Sequence, residues 1–189
     1  MKIGLYFGSF NPIHHGHLII ANHLVQNSDL EQVWFVVSPQ NPLKPSAGLL
    51  NEYHRLFLVQ LSIEDEKNLK ASDIEFRLPR PSYTIDTLTY ITEKYPEHSF
   101  AVVMGSDSLQ NLPRWKNYQQ ILQHFHLYVY LRPGFPVDNH GSHVQVVKAP
   151  LLEISSTHIR EILKKNQSIR YLVPDKVQQE IDRNNYYRF

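Results

Sequence analysis

Hydrophobic positions along the chain fall into short apolar runs separated by stretches of helical spacing. Residues 3–7, 33–37, 100–104, 127–131 and 144–147 read as strands, and a weaker strand lies near 69–74. Between them, Leu18, Ala21, Leu24 and Val25 recur at helical spacing over 17–26. Asn51 is placed to cap a second helix, with Glu52 in its first turn and Tyr53, Leu56, Phe57 and Leu61 following. Ser82 is expected to cap a third helix, stopped at Tyr95 by Pro96. Further helices are expected over 118–124, 157–165 and 174–184, the last opened by Pro174. Regular strand–helix alternation predicts an α/β fold: an open parallel sheet with helices on both faces. No proline falls inside any of these strands, as central strands require.

Length and composition narrow the class. With 189 residues and no linker or repeat, the chain is expected to be one domain spanning 1–189, with a small helical extension at its C-terminal end. It has no cysteine, which excludes disulfides, thiolate metal sites and a cysteine nucleophile. Lys+Arg number 19 and Asp+Glu 18, a net charge of +1 that argues against nucleic acid or an anionic membrane as partner. The longest apolar runs are about five residues, against the ~20 of a membrane span. The first residues also lack the apolar core of a signal peptide, so a cytoplasmic protein is expected.

In an open parallel sheet, ligands bind beyond the carboxyl ends of the strands. The polar residues gather there. Residues 8–17, Gly-Ser-Phe-Asn-Pro-Ile-His-His-Gly-His, follow the first strand; Asn41 to Lys44 follow the second. Gly105, Ser106, Asp107 and Ser108 follow the run 100–104, and Arg132 follows 127–131. The first loop turns tightly at Gly8 and Ser9 and leads into a helix near His15, so its amides and the helix N-terminus suit an anion. Gly16 is expected to let a ligand approach the backbone. His14 and His17, three apart, share a face from which imidazoles can donate to phosphate oxygens. The helix dipole opposes a charged imidazole here by ~0.3–1 kcal/mol, less than the ~1.5–3 kcal/mol of a charge-assisted bond to phosphate. Protonation is therefore expected mainly with ligand bound. Three histidines in four residues also leave a metal site open. A second signal is Ser155, Ser156 and Thr157 before a helix, with Arg160 three residues beyond Thr157; this fits a polyphosphate tail as well as a plain capped helix.

Together the 8–17 segment, with its histidine-x-glycine-histidine motif, and Ile154-Ser155-Ser156-Thr157-His158-Ile159-Arg160 resemble the signatures of the nucleotidylyltransferase superfamily. The chain is most similar to the bacterial nicotinate mononucleotide adenylyltransferase family, whose intermediate blocks look like residues 81–88, 105–108, 112–115 and 131–134. The resemblance covers essentially the whole chain. It implies a Rossmann-like fold and a reaction in NAD biosynthesis, in which the phosphate of nicotinate mononucleotide attacks the α-phosphate of ATP in line. Deamido-NAD and pyrophosphate would be the products, with Mg²⁺ assisting. By position, His14, His17 and Arg160 would be catalytic. Gly8, Ser9, Phe10, Gly16, Asp107, Ser155, Ser156 and Thr157 would bind ATP. Lys44, Ser82, Tyr83, Thr84, Trp115 and Arg132 would bind the mononucleotide, with the nicotinate carboxylate at the helix opening near 82–84 and Trp115 stacked on the ring. No residue of the chain is assigned as a metal ligand.

The sequence departs from the family where Gly-Gly-Thr-Phe-Asp-Pro is common. Phe7 replaces a glycine, and Asn11 replaces a carboxylate, which argues against a direct metal role there. Three alternatives stay open: another adenylyl- or cytidylyltransferase of the superfamily, a nucleotide-binding regulator without chemistry, and a histidine-metal hydrolase.

Overall fold

The computed structural model describes residues 1–40, 48–138 and 141–188. Six parallel strands form one sheet: β1 (Lys2–Gly8), β2 (Gln32–Val37), β3 (Leu69–Ser72), β4 (Ser99–Gly105), β5 (His126–Tyr130) and β6 (Val144–Val147). Their order is β3-β2-β1-β4-β5-β6, that of a Rossmann sheet. The order reverses between β1 and β4, which pair in parallel with Ile3 opposite Phe100. Alternate side chains point to opposite faces, as strand geometry demands. Tyr6, Val33, Phe35, Val37, Ala101, Val103, Tyr128 and Tyr130 face one core. Ile3, Leu5, Trp34, Val36, Val102, Met104, Leu127 and Val129 face the other.

Helices cover both faces. The first core receives Ile20, Ala21 and Leu24 of α1 (His15–Asn27), and Leu58 and Val59 of α2 (Glu52–Ser62). It also receives Ile159 and Leu163 of α6 (Ser156–Lys164), and Val177 and Ile181 of α7 (Asp175–Asn184). The second core is closed by Ile85, Leu88 and Ile91 of α3 (Thr84–Lys94) and Ile121 of α5 (Tyr118–His124). Between these last two helices lies α4 (Ser106–Asn111), which opens directly from the end of β4. Among the described residues no helix is long and apolar enough to cross a membrane.

Two local expectations change. The weak strand near 69–74 stops at Ser72 and continues as a 3-10 turn, Ile74–Arg77. Asn51 does cap α2, its side chain accepting from the Tyr53 amide. However, the buried face of that helix is Arg55, Leu58 and Val59, while Tyr53 and Phe57 are 63% and 44% exposed. Leu56 and Leu61 pack partly buried against the first core as the spacing predicts, but apolar spacing could not count an arginine as a core residue.

Candidate active site

A continuous cleft opens over the carboxyl ends of β1, β4 and β5. It has two halves, of about 390 and 330 Å³, that share Tyr6, Phe7, Gly8, Ser9, Asp107, Ser108 and Tyr130 as common wall. Both lie within the usual range of small-molecule sites. One half is completed by His14, His17, Ser155, Thr157 and Arg160. The other is completed by Ser82, Tyr83, Thr84, Arg114, Trp115 and Lys116.

In the histidine half, α1 begins at His15, and the His14 and His17 rings stack with centroids 3.6 Å apart. His17 Nδ1 accepts from the His14 amide at 3.3 Å, which places the proton of a neutral His17 ring on Nε2. Beneath it lies Phe10, 2% exposed and edge-on to His17 at 5.1 Å. Gly8 makes this possible, since a Cβ there would meet the Phe10 ring at 2.8 Å. Gly16, expected to admit a ligand, instead admits the His14 ring: its own Cβ would lie 3.0 Å from His14 Nδ1, and it lines neither half of the cleft.

His14 is 5% exposed, and its Nδ1 is buried without a hydrogen-bond partner. Burial, helped by the charge of Arg132 and by His15, lowers its pKa to about 4. The ring is therefore neutral at pH 7 in the free protein. The shift also has a sign for stability. The unfolded chain takes up a proton near pH 6.5 and the folded one only near pH 4, so stability is full above pH 6.5 and falls between the two values. The loss attributable to His14 should reach on the order of 3 kcal/mol. Urea melts of wild type and His14→Gln at pH 7.5 and 4.5 check this; an equal acid loss in both proteins would remove His14 as its source.

The second phosphate-type signal is tied to the first loop by hydrogen bonds. Only Ser155 caps α6, accepting from the His158 amide. Ser156 donates to the Pro12 carbonyl at 2.8 Å. Arg160 donates to the Asn11 carbonyl at 2.8 Å and to Thr157 Oγ1 at 3.3 Å, leaving other guanidinium donors for a ligand. Asn11 is a loop staple: its amide donates to Gly48 and its oxygen accepts from the Leu50 amide. Arg132 lies in the histidine half, not beside Tyr83 and Trp115, and pairs with Asp107 at 3.5 Å. Tyr6 and Tyr130 share a buried hydroxyl–hydroxyl bond of 3.1 Å on the common wall, and burial holds the Tyr6 phenol well above its ordinary pKa. Among the described residues no group of three or more histidines or carboxylates is arranged to hold a metal ion.

In the tryptophan half, Ser82 does not cap α3. Tyr83 occupies the cap position and offers no side-chain bond; Thr84 opens the helix at the cleft lining, and the Asp86 amide donates to the Tyr83 carbonyl at 3.0 Å. Ser82 is buried and donates to Glu75 at 2.7 Å; Thr87 donates to the other oxygen at 2.8 Å. Burial pushes the Glu75 carboxyl up from its usual range, against hydroxyl bonds from Ser82, Ser38 and Thr87 that favour the carboxylate. Sequence reasoning missed this residue, because a glutamate after a short strand carries no mark of burial. Both oxygens of Asp86 are taken by Lys116, at 3.0 and 2.8 Å, and the same ammonium lies 4.9 Å from the Tyr83 ring centre. Lys44 lies outside the described residues.

A Rossmann sheet with an anion-directed first loop at its switch point, and a second pocket continuous with it, defines a nucleotide-binding α/β protein of the nucleotidyltransferase class. The family model described as cytidylyltransferase-like matches residues 5–162. A Flavobacterium psychrophilum protein named "Probable nicotinate-nucleotide adenylyltransferase" is 53% identical, with 100% of each chain covered. A Cytophaga hutchinsonii protein of the same name is also 53% identical, over 99% of this chain and 98% of its own. The chain belongs to the nicotinate-nucleotide adenylyltransferase family. The fold agrees with that of the Plasmodium falciparum nicotinic acid mononucleotide adenylyltransferase complexed with NaAD, at TM-score 0.83 and 21% identity, covering 100% of this chain and 98% of that one.

Proposed function

We propose that this protein joins ATP to nicotinate mononucleotide, releasing pyrophosphate and forming deamido-NAD. The observation that carries this reading is the shared wall of the cleft. Two chemically different pockets meet over the end of β1, where one nucleotide's phosphate can reach the other's. Family membership and the relatives' names support the same acceptor.

The mononucleotide phosphate is already an anion, so the attack needs no strong general base; the bond it forms to the α-phosphorus replaces the bond to pyrophosphate. Catalysis then rests on positioning and on charge stabilisation at the leaving oxygens. In this reading His17 donates from Nε2, and His14 becomes a second donor once phosphate raises its pKa. Arg160 and Thr157 hold the distal phosphates, with Ser155 and Ser156 fixing their helix. Gly8, Ser9 and Asp107 border the adenosine. Tyr83, Thr84 and Trp115 receive the pyridine, over Ser82.

Mg²⁺ enters as part of the substrate. Asn11 and Asp107 are already bonded, to the loop backbone and to Arg132, so among the described residues there is no free carboxylate cage. Mg²⁺ characteristically keeps waters and binds through substrate phosphates, which fits this donor set. We place the reaction in the cytoplasm, where ATP is available.

The test is an acceptor screen with purified protein, ATP and Mg²⁺, following pyrophosphate and the dinucleotide mass. Turnover of nicotinate mononucleotide well above phosphopantetheine or choline phosphate is expected; turnover of none, with ATP bound, would make the protein a regulator. Arg160→Ala should weaken ATP binding about tenfold or more while leaving mononucleotide binding within about threefold, because only ATP brings distal phosphates. Titration of each ligand checks this, and equal losses would reduce Arg160 to its bond with the Asn11 carbonyl.

A further inference from the structure

Arg55 is the largest fully buried side chain of the protein, at 0% exposure. Among the described residues its guanidinium makes four hydrogen bonds, all to backbone carbonyls. Nε donates to Leu50 at 2.7 Å; one terminal nitrogen donates to Ser9 at 2.6 Å and Ser38 at 2.8 Å; the other donates to Pro39 at 3.0 Å. These carbonyls belong to the loop after β1, the turn after β2 and the approach to α2, so one side chain joins the backbone of both strand ends. Among the described residues no carboxylate lies within ion-pairing distance of it. The nearby Glu52 is spent on Arg80, at 2.6 Å.

Burying an arginine costs several kcal/mol unless its charge and donors are answered. Four carbonyls answer the donors. They supply only dipoles, and the positive charge, which Glu52 eases only from a distance, lies beneath Ser9 on the wall common to both halves of the cleft. An arginine cannot shed its proton to escape this. A structural staple would be cheaper with a carboxylate partner. A buried cation without a directly paired carboxylate is reasonable where the answering anion is the ligand.

We propose, on the reading that the histidine half binds the polyphosphate of ATP, that Arg55 is a positioning residue for the reaction. It fixes the first loop at the Ser9 carbonyl and supplies a buried positive charge beneath the bound phosphates. The charge acts through the loop, without touching substrate, in a site where solvent screens poorly. Its effect scales with the number of phosphates on the ligand, whereas the effect of a staple does not.

The experiment compares ATP with adenosine on wild type, Arg55→Lys and Arg55→Gln, by calorimetric titration, with thermal melts as the check on folding. Arg55→Gln should raise the Kd for ATP by about 30-fold and that for adenosine by no more than about threefold; Arg55→Lys, which keeps the charge, should stay within about fivefold of wild type for ATP. Equal losses for ATP and adenosine, or an Arg55→Lys protein as poor as Arg55→Gln, would overturn the charge role. If Arg55→Gln does not fold, the wild-type protein carries the test. The Arg55 Nε–H signal should shift on addition of ATP and not of adenosine; equal or absent shifts overturn the proposal. Wild-type turnover in the acceptor screen reads the function separately, so loss of one idea leaves the other standing.

Discussion

His17→Ala should lower turnover by ~10²–10³ in a protein that melts within a few degrees of wild type, the usual loss for one preorganised charge-stabilising donor. The structure makes His17 the cleaner of the two histidines to remove. Its Nδ1 is held by the His14 amide at 3.3 Å, and the ring stands on Phe10, so the ring is fixed before any ligand arrives. Such fixed geometry is what lets a donor favour a transition state over a substrate. His14→Ala should also lose turnover, but it empties the space that the ring fills above Gly16 and removes the stacking partner of His17. Its kinetic loss will be mixed with a loss of stability. The check is single-turnover kinetics beside a denaturant melt. A folded His17→Ala protein with turnover within about fivefold of wild type would take the pair out of the mechanism.

The sequence carried the signals that depend on local pattern. Short apolar runs and helical spacing marked the six strands and most helices, and the carboxyl-end rule drew residues 8–17 and 105–108 to one edge before the strand order was known. The order itself, with β1 beside β4, is a long-range pairing that spacing does not encode. What stayed hidden were polar groups whose meaning lies in a distant partner. Arg55 and Glu75 look like ordinary surface residues in sequence, since charged side chains are rarely fully buried. Only the fold shows four carbonyls around one and three hydroxyls around the other. Ser82 failed as a cap for the same reason, because Glu75 drew its hydroxyl inward. Gly16 was given to the ligand because nothing local said that the His14 ring needed the space.

Nicotinate mononucleotide should be preferred over nicotinamide mononucleotide by at least ~30-fold in kcat/KM. The two acceptors differ by a carboxylate against a neutral amide. No side chain caps the opening of α3, and Thr84 lines the cleft there, so a carboxylate docked at that end gains the helix dipole and charge-assisted bonds, together ~1–3 kcal/mol. An amide group presents its NH₂ to one of those donors and leaves it unpaired, at a further ~1–3 kcal/mol. The surrounding charges decide whether this advantage survives. Asp86 would repel the anion from the same turn, but Lys116 holds both its oxygens, and Lys116 and Arg114 line the pocket as cations. Glu75 works the other way, since a buried negative charge behind Ser82 disfavours a second carboxylate. Its oxygens are turned to Ser82 and Thr87, and burial shifts its carboxyl toward the neutral form. With Lys116 and Asp86 offsetting each other, Arg114 at the wall stands against one inward-facing carboxyl that burial shifts toward its neutral form, and the preference for the acid stays intact. Side-by-side kcat/KM values for the two acceptors provide the measurement, and a ratio within about threefold would sink the docking of the carboxylate at Tyr83 and Thr84 while leaving the adenylyl transfer itself in place.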